Sequence, residues 1–326
     1  MIGKKLFLFL VLVVSWSGSD LYGDPSFKTM MGERGGLNCR KYSQEQLWHR
    51  PDVKNTGKRV EEQYRHALAH LKKEPIYTIP KKVHFIWIGP SSFPAGSVKN
   101  LSSWIDRHPS WEFCFWTDDP ERELPVPGMR RRLVSEFDFG PLSPLIEELT
   151  NWGGKSDLMR YMILYKEGGI YADHDVECVR PFHDLCSHFD FIAGYEPLHY
   201  ILLAPKDPFI VNNGLIAARP NHPILKKTID RACERWEEAA KPYTKLWRVV
   251  ARTFDPFRYS AKSFIEEGPD RNILFPTCYF QAYAGFTDET FSVLKQQGYV
   301  YAIHHFEGHW KTPGGCPSRK KDSLRR

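Results

Sequence analysis

The segment from Ser156 to Val176 constrains this chain more than any other. It reads as a helix with both ends marked, two glycines, and then a strand. Ser156 or Asp157 is a capping residue at the helix start, and Gly168-Gly169 supplies the positive-φ position that ends it. Leu158, Met162 and Tyr165 share one apolar face, widened by Met159 and Ile163. Asp157, Arg160, Tyr161 and Leu164 fall on another, where Asp157 and Arg160, three apart, are neighbours. Ile170-Tyr171-Ala172-Asp173-His174-Asp175-Val176 follows with no further loop. Alternate side chains of a strand share a face, so Tyr171, Asp173 and Asp175 lie together, opposite Ile170, Ala172 and Val176. A rise of ~3.3 Å per residue sets the two carboxylates ~6.6 Å apart.

Like charges held this close repel unless something positive sits between them. Hard divalent cations take carboxylate oxygens, and Mg²⁺ or Mn²⁺ commonly bridges such groups to substrate phosphates. The pair therefore points to a metal–diphosphate site. Duller readings compete. Asp157 with Arg160 makes a local ion pair at a helix cap, and Asp-His-Asp suits a solvated acidic turn. An EF-hand loop is excluded, because Cys178 stands at the sixth position from Asp173, where that loop requires glycine. A glycosidase carboxylate pair has a similar separation, but neighbours on one strand cannot easily flank a glycosidic bond from opposite sides.

Ser156-Asp157-x-x-Arg160-Tyr161, followed by Gly168-Gly169-Ile170-Tyr171-x-Asp173-x-Asp175, resembles the sugar-binding DXD region of glycosyltransferase family 32, which includes the fungal outer-chain mannosyltransferases. It is more distantly similar to the glucosyltransferase domain of the large clostridial toxins. The resemblance runs from about Ile79 to Trp310. It implies an α/β fold of the GT-A type, a nucleotide-sugar-binding α/β/α sandwich with added helices. It also implies a divalent metal, Mn²⁺ or Mg²⁺, a nucleotide-sugar donor, and transfer of a hexose with retention to a glycan, lipid or protein acceptor. On this resemblance Asp157 and Arg160 hold the sugar, Asp173 bridges the ribose and metal side, and Asp175 ligates the metal. Tyr171 lines the donor pocket and Trp87 lies against the base. Val211-Asn212-Asn213-Gly214 resembles the segment after the metal strand, giving Asn213 a place near the donor; an Asn-Gly turn is the plainer alternative. His304-His305-Phe306-Glu307-Gly308-His309-Trp310 resembles a loop that closes over the donor, with Trp310 against it. His309 stands where the family usually has Ser. His305 is the first choice for a third metal ligand, ahead of His304 and His309. A catalytically idle sugar- or nucleotide-binding protein of the same fold and a metal-free glycoside hydrolase remain as competing readings.

Elsewhere strands alternate with helices, as in a layered α/β sheet. Val83 to Ile88 is a continuous apolar run ended by Gly89-Pro90, and Glu112 to Trp116 is a second strand. Phe189–Tyr195, Gly214–Ala218, Asn272–Phe275 and Tyr299–Ile303 read as later strands. Lys58–Lys73, Val98–Arg107, Met129–Phe137, Leu142–Leu149 and Pro223–Ala239 read as helices. Neither a dinucleotide fingerprint nor a P-loop is present. Cys178, His183, Cys186 and His188 lack the spacing of a zinc site.

The net charge of +6 resides at the ends. Ser318–Arg326 contributes +4 and Lys4-Lys5 +2, so the body is formally neutral and offers no basic face for nucleic acid. Lys4-Lys5, the nine apolar residues Leu6–Val14 and the small residues after them read as an export leader, cleaved or kept as a short anchor giving membrane association. The expected organisation is a leader at 1–23, a stem with an amphipathic helix at 24–78, the glycosyltransferase-like domain at 79–317 and a basic tail at 318–326. Export implies a secretory lumen, the periplasm or the exterior. Seven cysteines leave at least one unpaired within the chain, and Asn100-Leu101-Ser102 is a glycosylation sequon.

Overall fold

The computed structural model describes residues 24–32, 44–71, 74–198, 207–240, 245–264, 271–281 and 286–308. The expected leader, the basic tail, His309 and Trp310 lie outside the described residues.

Among the described residues nine strands run in chain order: β1 (Lys82–Ile86), β2 (Glu112–Thr117), β3 (Arg130–Leu133), β4 (Gly169–Ala172), β5 (Val176–Cys178), β6 (Phe191–Tyr195), β7 (Val211–Ala218), β8 (Asn272–Phe275) and β9 (Ala302–His304). Seven form one sheet in the order β3-β2-β1-β4-β7-β6-β8, while β5 and β9 pair separately. Neighbours in the large sheet are parallel except β7, which runs against both β4 and β6. Every residue of β4, β6, β7 and β8 is buried. Successive side chains point to opposite faces, so both faces of this half of the sheet are covered, as an α/β sandwich requires. The fold class read from the sequence is the one the chain adopts.

The helix of the motif is longer than the sequence suggested. It spans Trp152–Glu167, and Asn151 caps it by accepting from Gly154 N. Ser156 and Asp157 therefore sit inside the helix. Gly153 and Gly154 lower helix propensity, yet Gly154 is needed: a Cβ there would stand 2.8 Å from Val249 Cγ1. The predicted stop holds, with Gly168 at φ +65° and Gly169 at φ +96°. A Cβ on Gly169 would also meet Lys82 O at 2.6 Å, so this glycine lets β4 come alongside β1.

Met129–Phe137, read as helical, instead supplies β3 at the sheet edge and a 3₁₀ turn at Val134–Glu136. Pairing with β2 overrides the local preference. Within the expected stem, helices cover Phe27–Met30, Gln44–His49 and Pro51–Ala69. Phe27, Met30, Leu47, Val53, Val60 and Tyr64 join the main core, and Tyr64 Oη lies 2.8 Å from Tyr279 Oη. The sequon asparagine is buried: Asn100 is 1% exposed and its Nδ2 donates to His174 O. Cys114, Cys178, Cys186, Cys233 and Cys278 are free thiols, all but Cys233 buried. Plain burial thus accounts for Cys178 and Cys186. Among the described residues no helix is long and apolar enough to cross a membrane.

Candidate active site at the Asp-x-Asp turn

The acidic pair is not on a strand. β4 ends at Ala172, Asp173-His174-Asp175 turns, and β5 begins at Val176. Val176 N donates to Asp173 O at 3.0 Å, closing the turn, and Asp173 N is held by Gly214 O at 2.8 Å. The turn folds both carboxylates toward β9. There His304 pairs with Val176 in antiparallel register. Asp173, Asp175 and His304 each offer a ligand atom, and these atoms lie within 4.8 Å of one another.

The third member is His304, and the first choice His305 is displaced. Adjacent residues of a strand point to opposite sides. His304 therefore turns inward, with Nε2 3.3 Å from Asp175 Oδ1, while His305 turns outward, with Nε2 3.2 Å from Glu177 Oε2. Gln281 Oε1 lies 2.9 Å from His304 Nδ1. As an acceptor it takes the Nδ1 proton in a hydrogen bond and aims Nε2 at the acidic pair. Burial works against charge on His304, but the Asp175 carboxylate raises its pKa to about 9. Burial likewise opposes charge on Asp175, yet His304 and the Glu307 N–H, donating at 2.8 Å, hold its carboxyl well below the usual range.

Two carboxylates and one oriented imidazole suit a Mn²⁺- or Mg²⁺-type ion. The space for such an ion depends on Gly214. A Cβ there would stand 2.8 Å from Asp173 Oδ2 and 3.0 Å from His304 Cε1. The donor set and this cradle fit a divalent cation.

Arg160 is the hub behind the turn. It is 4% exposed and lies between Asp157 Oδ1 at 3.0 Å and Asp173 Oδ1 at 3.2 Å. Nη1 also donates to Asn213 O, Nε to Ser156 O, and Nη2 to Ser156 Oγ. Three of these contacts are hydrogen bonds and the two to the carboxylates are ion pairs. Burial opposes its charge, but Asp173, Tyr171 and Asp157 hold it protonated. Buried between the two carboxylates, Arg160 braces Asp157 and Asp173.

Tyr171 does not line a pocket. It is 1% exposed, carries the Arg160 guanidinium 4.2 Å above its ring, and donates from Oη to Asp173 Oδ1 at 2.5 Å. Asn213, inside β7 rather than in a turn, donates from Nδ2 to Asp157 Oδ1 and to Tyr161 Oη. Burial pushes the Asp157 carboxyl above its usual range, opposed by Arg160, Thr253 and Asn213. Thr253 and Gln281 were not singled out in the sequence, because their roles depend on which strands and helices meet, and Gly214 was read there only as part of the segment after the metal strand.

A cleft of about 900 Å³ opens past the carboxyl ends of β1 and β2, lined by Gly89, Phe93, Asp118, Arg122, Leu124 and Trp152. Trp87, just beyond β1, links it to the turn. Its ring is 5.4 Å from that of Phe93 and 5.0 Å from that of His174. Trp87 Nε1 donates to Ser91 O, fixing the ring against the loop. Ligands of open α/β sheets bind in this position.

Fold and site together define an α/β sheet protein with a cation-ready acidic turn beside a cleft at the strand ends. Within it, residues 94–192 match the glycosyltransferase sugar-binding region containing a DXD motif, and the resemblance to glycosyltransferase family 32 is borne out. Subversion of eukaryotic traffic protein A of Legionella pneumophila is 34% identical over 130 residues, covering 36% of this chain and 20% of the relative. Inositol phosphoceramide mannosyltransferase 3 of Schizosaccharomyces pombe is 31% identical over 152 residues, covering 46% of this chain and 36% of the relative. The chain thus spans about a fifth to about a third of the length of these relatives. Among solved structures, PaToxG glycosyltransferase covers 64% of this chain and 77% of its own, at 19% identity and a TM-score of 0.47.

Proposed function

We propose that this chain is a metal-dependent glycosyltransferase that moves a hexose, with retention, from a nucleotide sugar to a glycan, lipid or protein acceptor. The carrying observation is the meeting of Asp173, Asp175 and His304 at one turn, directly in front of the buried Asp157–Arg160–Asp173 chain. A nucleoside diphosphate leaves readily only when its charge is offset, and a cation held by Asp173, Asp175 and His304 would supply that offset. Asp157 presents its remaining acceptor position to a sugar hydroxyl. Arg160 holds Asp157 and Asp173 in place rather than touching the sugar. Trp87 and the cleft beside it receive the base. The name of the Schizosaccharomyces relative puts GDP-mannose first in the donor panel and a lipid among the first acceptors.

The test is release of nucleoside diphosphate from GDP-mannose, UDP-glucose, UDP-galactose and UDP-N-acetylglucosamine, with and without Mn²⁺. Mn²⁺-dependent release from at least one donor is expected. Release from none, with or without an added glycan or lipid, overturns the proposal. The leader read from Lys4-Lys5 and Leu6–Val14 supports a setting for this activity in a secretory lumen, the periplasm or the exterior. N-terminal sequencing of exported protein checks that placement, and protein confined to the cytosol would refute it.

A further inference from the structure

The helix that runs alongside Trp152–Glu167 contains an irregularity. Lys245–Val249 and Asp255–Phe264 are α-helical, but Val250–Phe254 between them is a π-helical turn, and Asp255 N reaches back five residues to Val250 O. Such an inserted residue interrupts a regular helix at a cost and is found mostly where function needs it. Here it presents Thr253, which is fully buried. Thr253 Oγ1 lies 2.7 Å from Asp157 Oδ2, and Thr253 O accepts from Tyr161 Oη at 3.1 Å. Asn213 Nδ2 completes a closed ring by donating to both Asp157 Oδ1 and Tyr161 Oη. Gly154 lets the two helices approach, since a Cβ there would collide with Val249.

An ionised carboxylate has about four acceptor positions. On Asp157, Arg160 Nη2 and Asn213 Nδ2 meet Oδ1, and Thr253 Oγ1 meets Oδ2. One position remains, on the oxygen that Thr253 holds. Thr253 Oγ1 also lies 3.0 Å from Val249 O, but its single proton goes preferentially to the nearer, charged acceptor.

Resting on the reading of the site given under Proposed function, we infer that Thr253 is a positioning residue for the sugar end of the donor. It aims Asp157 Oδ2 at a sugar hydroxyl and makes no contact with the nucleotide. Its loss therefore weakens the hold on the sugar and leaves the hold on the diphosphate and base unchanged.

The experiment measures, with Mn²⁺, the affinity of GDP-mannose against GDP, and of UDP-glucose against UDP, for the parental protein, Thr253→Val and Thr253→Ser. Thr253→Val keeps the shape and removes the hydroxyl. It should weaken the bound nucleotide sugar about five- to tenfold, the scale of the net contribution of one ordinary hydrogen bond, without changing nucleoside diphosphate affinity. Thr253→Ser should bind both like the parent. Equal weakening of both ligands would assign Thr253 to packing, and no weakening of either would mean that Asp157 is aimed without it; each overturns the inference alone. A parental protein that binds no nucleotide sugar of the panel overturns the inference together with the proposed function. Should Thr253→Val fail to fold, Thr253→Ala is read by the same ratio of the two affinities.

Discussion

Gly214 and Asp173 stand so close that a Cβ on the glycine would lie 2.8 Å from Asp173 Oδ2. The same methyl would be 3.0 Å from Asn212 Oδ1 and from His304 Cε1, so three neighbours would have to give at once. The glycine's φ is not in the left-handed region, and the backbone tolerates alanine there. Gly214→Ala should therefore fold and deflect the Asp173 carboxylate and the His304 ring. Disturbing the surroundings of metal ligands typically costs 10–100-fold in affinity. Calorimetric titration with Mn²⁺ reads the effect, and parental affinity in a normally melting variant would detach Gly214 from the site.

Asp175→Asn removes the charge that faces His304 and keeps the shape. Removing the charge gains little from relief of carboxylate repulsion, because His304 and the Glu307 N–H already offset Asp175. In the variant His304 loses its buried partner and settles as the neutral imidazole, so a modest drop in melting temperature without metal is expected. Turnover should fall about 10²–10³-fold, as for loss of one electrostatic stabiliser. The rise in melting temperature on adding Mn²⁺ should vanish as well. A variant that still turns over and still gains stability from Mn²⁺ would refute the assignment.

Much of this was legible because the signals were local. The glycines at 168 and 169 ended the helix, Val98–Arg107 formed as expected, and Asn272–Phe275 is β8. The failures share one cause, dependence on a distant partner. The arginines of β3 are a strand only because β2 lies beside them. His304 rather than His305 faces the acidic turn because β9 registers against β5, and no spacing within the sequence fixes that register. Thr253 reaches Asp157 only because two helices far apart in the sequence pack together.

Trp87 is fixed by Ser91 O and placed between the acidic turn and the cleft. If its ring receives the donor base, stacking contributes ~1–3 kcal/mol. Trp87→Ala should then weaken nucleoside diphosphate binding about tenfold or more, with Mn²⁺ affinity in the absence of nucleotide unchanged. The two titrations separate a stacking role from a structural one. Loss of both would make Trp87 a support for His174, and retention of both would remove it from the site.

His84 gives a pH dependence independent of the metal turn. It is fully buried between Trp116 Nε1, which donates to its Nδ1, and Gly168 O, which faces its Nε2. Burial lowers its pKa from 6.5 to about 4, against the smaller opposing effect of the Gly168 carbonyl. The unfolded chain therefore takes up a proton near pH 6.5 that the folded chain refuses until about pH 4. Stability from the neutral ring is complete above pH 6.5 and falls as pH drops through this window. The loss amounts to about 3 kcal/mol at about 1.4 kcal/mol per pKa unit. His84→Gln offers polar groups of similar reach and does not titrate. Chemical denaturation at pH 7 and pH 4 should show the variant less stable at pH 7 but with a shallower decline. An equally steep decline would place the acid sensitivity on other groups.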